Sequence, residues 1–271
     1  MKRIVTILLL ACSFAMTGSL LAQEVMTDEV KQILQAAEAG DALAQVLLGD
    51  RYGLGYGVKK DYSQMVYWYR KAADQGLVDA QYSLAMCYHN GEGVAKDDSQ
   101  ALYWFRKAAE QGDADAQYKL GLYYYNGWGV TKNYGQAVSW YRKAAEKGHA
   151  DAQYNLGLCY ARGDGVKKDY NQAMCWYRKA AEKGHAKAQN ILGIGYSNGY
   201  GVKKDYSQAV YWYRKAADQG LAAAQCHLGY CYENGYGVTK SLNQAVEWYR
   251  KAARQGDKTA QQTLRSLGKS W

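Results

Sequence analysis

The feature that most constrains this chain is its own periodicity. The Ala-Gln pair recurs at Ala44-Gln45, Ala80-Gln81, Ala116-Gln117, Ala152-Gln153, Ala188-Gln189, Ala224-Gln225 and Ala260-Gln261. A tryptophan recurs with the same step, at Trp68, Trp104, Trp140, Trp176, Trp212 and Trp248. A fixed period of this size means a solenoid, because each unit carries an apolar face that only its neighbours can cover. The 271 residues therefore do not translate into one or two globular domains.

One unit, Leu77 to Gly112, shows the internal logic. A first helix over roughly Val78–His89 places Ala80, Leu84, Ala85 and Tyr88 on a repeated apolar face. Elsewhere Ala85 is replaced by Gly49, Gly121, Gly157, Gly193 or Gly229. Glycine there costs up to about 1 kcal/mol in helix propensity, so its recurrence predicts close helix approach. The corner Gly91-Glu92-Gly93-Val94 follows. The second helix is announced by N-cap residues Asp61, Asp97, Asn133, Asp169, Asp205 and Ser241. Glutamine stands three places on in all six, which predicts reciprocal capping boxes. Each second helix is predicted to stop at Gly76, Gly112, Gly148, Gly184, Gly220 or Gly256.

Six such units fill residues 41–256, from Asp41–Gly76 to Leu221–Gly256. Residues 23–40 read as an N-terminal capping helix, with Val30, Ile33, Leu34 and Ala37 on one face. Residues 257–271 read as a closing helix and tail, made polar by Lys258, Gln262 and Arg265.

The pattern Ala-x-Ala-Gln-x-x-Leu-Gly-x-x-Tyr-x-x-Gly-x-Gly-Val-x-x-Asp-x-x-Gln-Ala-x-x-Trp-Tyr-x-Lys-Ala-Ala resembles the Sel-1-like repeat family, relatives of tetratricopeptide repeats. The resemblance covers essentially everything after the leader. It implies an all-α fold, a right-handed α/α superhelix of helix-turn-helix repeats, and work as an adaptor that gathers proteins or holds peptides in a concave groove. It also brings in cysteine-rich exported members, stapled by Cys-x7-Cys, to which penicillin binding or β-lactamase activity is ascribed. That spacing is absent here.

Residues 1–22 read as a secretory signal: Lys2 and Arg3, then an apolar run from Ile4, then small residues, with cleavage after Ala22. The run is short for a membrane span. The expected location is periplasmic or secreted, with lipidation at Cys12 as the lesser alternative. Loss of Lys2 and Arg3 lowers the formal charge from +9 to +7. Export argues against a nucleic-acid partner.

The sequence holds little that points to chemistry. Without Cys12, the cysteines are Cys87, Cys159, Cys175, Cys226 and Cys231. Cys159 and Cys175 lie on the two arms of one hairpin, so a disulfide between them and unpaired thiols both remain open. Ser266-Leu267-Gly268-Lys269 matches a serine acyl-enzyme pattern but sits alone on the tail. The histidines His89, His149, His185 and His227 show no metal-ligand spacing. No cofactor, metal site or catalytic residue is predicted.

Partner recognition is expected where neighbouring columns vary. By analogy with tetratricopeptide grooves, the first helices line the concave side. The candidates there are Asp115, Tyr118, Lys119, Leu122 and Asn126, then Tyr154, Asn155, Leu158 and Arg162. They continue with Asn190, Ile191, Ile194 and Asn198, and with His227, Tyr230 and Asn234. Polar groups there would bind a peptide backbone while Leu, Ile and Tyr bury its side chains. A second feature is a lysine edge at the corners: Lys59-Lys60, Lys96, Lys132, Lys167-Lys168, Lys203-Lys204 and Lys240. Such a row suits anionic envelope components. The sequence thus favours a non-catalytic envelope scaffold that binds a protein or peptide. The alternatives are an envelope hydrolase or penicillin-interacting protein, and a binder of anionic polymer.

Overall fold

A computed structural model describes residues 26–271. The expected signal peptide and Cys12 lie outside the described residues. The described chain is helical throughout. It runs α1 (Asp28–Glu38), α2 (Ala42–Leu54), α3 (Tyr62–Asp74), α4 (Val78–Asn90), α5 (Asp98–Glu110), α6 (Ala114–Asn126) and α7 (Tyr134–Glu146). It continues with α8 (Ala150–Arg162), α9 (Tyr170–Glu182), α10 (Ala186–Asn198), α11 (Tyr206–Asp218), α12 (Ala222–Asn234), α13 (Leu242–Arg254) and α14 (Lys258–Ser266). Extensive packing joins only helices adjacent in the chain, the closest pairing being within each hairpin. This is an all-α repeat solenoid.

The recurring residues hold each hairpin to the next. Leu84, Leu120, Leu156, Leu192 and Leu228 are fully buried between helices, each contributing roughly 1.5–3 kcal/mol of apolar burial. The helix glycines accept an aromatic ring: a Cβ on Gly157 would lie 2.7 Å from the Tyr177 ring. The buried glutamine of each Ala-Gln pair donates to a carbonyl at the end of the preceding second helix, as Gln153 does to Ala145 O at 2.9 Å. That carbonyl also accepts from Gly148 N at 2.9 Å in the turn that ends its helix, so the glutamine fills its second acceptor site and ties one unit to the next.

The caps differ from the reciprocal box. Asp61 accepts from Ser63 N and Gln64 N at 2.8 and 3.0 Å. Its own backbone amide, which Gln64 would have to reach, donates to Tyr52 O at 3.0 Å. Asp97, Asn133, Asp169, Asp205 and Ser241 repeat this bond to Tyr88, Tyr124, Tyr160, Tyr196 and Tyr232. The tyrosine carbonyl occupies the amide first, so only half of each box forms. The phenols of Tyr124 and Tyr160 in turn accept from Arg106 and Arg142 of the preceding second helix, at 2.7 and 2.8 Å. At the corners the second glycine meets backbone of the unit before: a Cβ on Gly165 (φ 72°) would lie 2.4 Å from Tyr134 O. Only glycine fits that approach.

The candidate disulfide is not formed. Cys159 is buried on the inner face of α8, whereas Cys175 points outward from α9, and both are free thiols. An arm-to-arm bond needs both side chains turned inward, and the second-helix column of Cys175 faces solvent. Burial raises Cys159 to about 12.

Candidate partner-binding face

The candidate columns lie on α6, α8, α10 and α12, the first helices of successive units. Their side chains fall into three sets. Leu122, Leu158, Ile191 and Ile194 are half-buried and pack on the cores between units. Their outer edges give the face an apolar floor.

The second set is engaged within the fold. The ring of Tyr118 stacks on His149 and that of Tyr154 on His185, both with centroids 4.5 Å apart. Each histidine begins the next unit. Nδ1 of His149 accepts from Ala152 N at 3.2 Å, and Nε2 lies 3.3 Å from Asp115 Oδ1. His185 does the same with Ala188 N at 3.1 Å and Asp151 at 3.2 Å. Nδ1 accepts a backbone proton, so the ring is the Nε2–H tautomer, donating to the aspartate. The hydrogen bond from His185 holds the Asp151 carboxyl below its ordinary value. Asn155 lies beside the hydroxyls of Tyr118 and Tyr141.

Asn190 corrects the expectation of an exposed column. It is only 9% exposed, and its Oδ1 lies 2.9 Å from His227 Nδ1. Asn126, Asn198 and Asn234 each return their amide to the carbonyl four residues earlier, at 2.9 Å. Their recurrence at the helix end is therefore partly structural.

The third set faces solvent. Arg162 is exposed and donates to Tyr125 Oη at 3.2 Å; that hydroxyl donates to Asp164 at 2.8 Å. Tyr230 is 51% exposed. Lys119 is half-exposed, and Asn126, Asn198 and Asn234 are exposed.

Sequence reading missed a cavity of about 540 Å³ at the C-terminal end of this face, between α12, α13 and α14. Cys226, His227, Tyr230, Glu233, Tyr249 and Asp257 line it, with hydroxyls from α14. Burial pushes the Cys226 thiol up to about 12 and lowers the His227 imidazole. Ser266, also at this cavity, donates its hydroxyl to Thr263 O at 2.8 Å, so it is held by its own helix. Comparing columns gives the missing signal: Cys226 and Asp257 stand together where two other units pair a tyrosine with a histidine, Tyr118 with His149 and Tyr154 with His185.

The corner lysines are exposed. Lys60, Lys168 and Lys204 stand over Tyr62, Tyr170 and Tyr206, with Nζ 4.6, 4.9 and 4.7 Å from the ring centroids. Among the described residues no group of histidine, cysteine and carboxylate could hold a metal ion, and no helix is long and apolar enough to cross a membrane.

Stacked helical hairpins with a solvent-facing row of varied side chains define a superhelical repeat scaffold. The Sel1 repeat model matches residues 42–77, 78–113, 114–149, 150–185, 186–221 and 222–257, so the chain belongs to the Sel1 repeat family. It is similar to a protective antigen of uropathogenic Escherichia coli strains displaying an SLR fold, at 41% identity and a TM-score of 0.85 over 89% of this chain. The match spans about half, 53%, of that protein. A Sel1 repeat protein from Oxalobacter formigenes is 39% identical, with a TM-score of 0.77, over 88% of this chain and 68% of its own. No curated protein sequence matches the chain.

Proposed function

We propose that this chain is an exported, non-catalytic scaffold of the bacterial envelope that binds a protein or peptide along the face of its first helices, the concave side by analogy. One observation carries this reading. The repeated columns are spent on packing, caps and the glutamine bonds, whereas Lys119, Arg162 and Tyr230 vary in chemistry and face solvent on one side. Packing alone gives no reason for that variety. Membership of a family of helical repeat scaffolds supports it. Export rests on the basic and apolar run at residues 2–16.

The test is a crosslinking capture from native envelope, comparing the wild type with Lys119→Glu/Arg162→Glu. Equal helicity and melting of the two baits come first. A protein held by wild type and lost by the variant supports the face and names its partner. Equal capture by both sinks the assignment.

The exposed lysines at the corners favour a second reading, contact with anionic envelope polymer. Binding through that edge falls steeply with added salt, while capture along an apolar floor does not.

A further inference from the structure

The slot between consecutive first helices is filled by a stacked pair in two units and open at the C-terminal end. Between α6 and α8 it holds Asp115, Tyr118 and His149; between α8 and α10 it holds Asp151, Tyr154 and His185. Between α12 and α14 the same three positions are Ala223, Cys226 and Asp257. Two side chains have shrunk and a third has become a carboxylate. The cavity of about 540 Å³ is what remains, a size that suits a small polar ligand or one long side chain.

Its chemistry is one-sided. Glu233 and Asp257 bring two carboxylates to the wall, and no lysine or arginine among the described residues lines it. Glu233 accepts from Tyr249 Oη at 2.6 Å, and Asp257 accepts from Ala260 N at 2.9 Å. Both donors are neutral, so the negative charge stays, and each carboxylate keeps acceptor capacity. His227 adds no compensating charge, because burial favours its neutral form. At the mouth stands Tyr230, half-exposed, its ring 5.8 Å from that of Tyr236. An electron-rich ring beside two carboxylates recognises a cation. The protein as a whole is basic, at +9, so this acidic cavity has a different electrostatic preference from the corners.

We propose that the cavity between α12 and α14 takes a basic side chain, an arginine or lysine, of the segment bound along the first-helix face. This rests on the partner-binding reading above and adds an anchor to it. The guanidinium or ammonium group pairs with Glu233 and Asp257, while its methylenes lie against Tyr230 and Tyr249.

The probes are acetyl-Gly-Arg-Gly-amide and its citrulline counterpart, which keeps the shape and loses the charge. Binding is read by titration calorimetry on the purified protein at low salt. Saturable binding of the arginine peptide is expected, with the citrulline peptide roughly tenfold weaker or worse. Glu233→Gln/Asp257→Asn should weaken the arginine peptide by about the same factor; asparagine preserves the cap on α14. Cys226→Tyr/Asp257→His rebuilds the stack of the other units and should abolish binding by filling the cavity. Equal affinity for the two peptides, unchanged affinity in the charge-neutral variant, or no saturable binding by wild type overturns the proposal. The capture experiment separates this from the parent reading. If wild type captures a partner that Lys119→Glu/Arg162→Glu loses while the peptides fail, only the anchor falls.

Discussion

Gln111 donates its side-chain amide to Gln81 Oε1 at 2.8 Å and to Gly76 O at 3.0 Å. Gln75, Gln219 and Gln255 make the same side-chain bond to Gln45, Gln189 and Gln225. In two units the donor position is Lys147 or Lys183. There the buried Oε1 atoms of Gln117 and Gln153 have no partner. Lys147 reaches the Gly112 carbonyl instead.

Lys147→Gln and Lys183→Gln should therefore stabilise the protein, by about 1 kcal/mol each, by giving an orphaned buried acceptor its donor. The sites belong to different hairpins, so the effects should add within a few tenths of a kcal/mol. Urea unfolding of both single variants and the double checks this. A midpoint at or below wild type would show that the acceptors gain nothing from the amide.

The glycine-to-ring contact gives a paired test. Gly121, Gly157, Gly193 and Gly229 each face a tyrosine, but Ala85 stands where the ring partner in its unit is Phe105. Gly157→Ala should cost about 1–3 kcal/mol by overpacking against Tyr177. Adding Tyr177→Phe should recover part of that, since it recreates the alanine–phenylalanine pair that Ala85 and Phe105 form in another unit. A double-mutant cycle with no coupling would refute the pairing.

Acid should weaken the fold in two stages. The His227 imidazole lies against Asn190 and Tyr213, with Asp257 opposing its desolvation, and its folded value is depressed below 6.5. A depressed group binds fewer protons folded than unfolded, so stability falls as pH drops below 6.5 and through the depressed value. Asp151, held down by His185, contributes stability above its ordinary 3.8 that is lost as pH falls through its lowered value. Chemical denaturation from pH 8 to 3 should show both slopes. In His227→Gln the upper one should flatten, and an unchanged slope would assign it elsewhere.

Thiol reactivity should separate cleanly. Cys87, Cys159, Cys226 and Cys231 are buried, and burial raises all four, three to about 12 and Cys231 to about 11. Cys175 is exposed. Brief alkylation of the native protein, followed by peptide mass mapping, should modify Cys175 and spare the others until denaturant is added. Modification of Cys159 at a matching rate would contradict its burial.

Much of the fold is legible in the sequence, because identical units force one answer at each repeated position: the glycines, caps and helix stops mark their elements residue by residue. The Ala-Gln column is recognisable but not its purpose, since its acceptor lies in the preceding hairpin, eight residues back from Gln153. The capping glutamines mislead for a similar reason. A local rule places Gln64 on the Asp61 amide, and a non-local carbonyl from Tyr52 takes it. The candidate face is legible as a set of columns, but its depth is not. Asn190 and Asn155 look alike in sequence. Yet Asn190 is buried against a histidine of the next unit, while Asn155 is half-buried beside two tyrosines.

Helices that pack extensively only on their chain neighbours have a mechanical consequence. Among the described residues, force applied at the two ends is borne largely in series by the interfaces between neighbouring hairpins. A small rotation at each hairpin boundary then adds along the stack, so the reach of the molecule can change substantially while each contact yields only slightly. The chain is built as a spring, and an object lying along several turns would feel its pitch as well as its side chains.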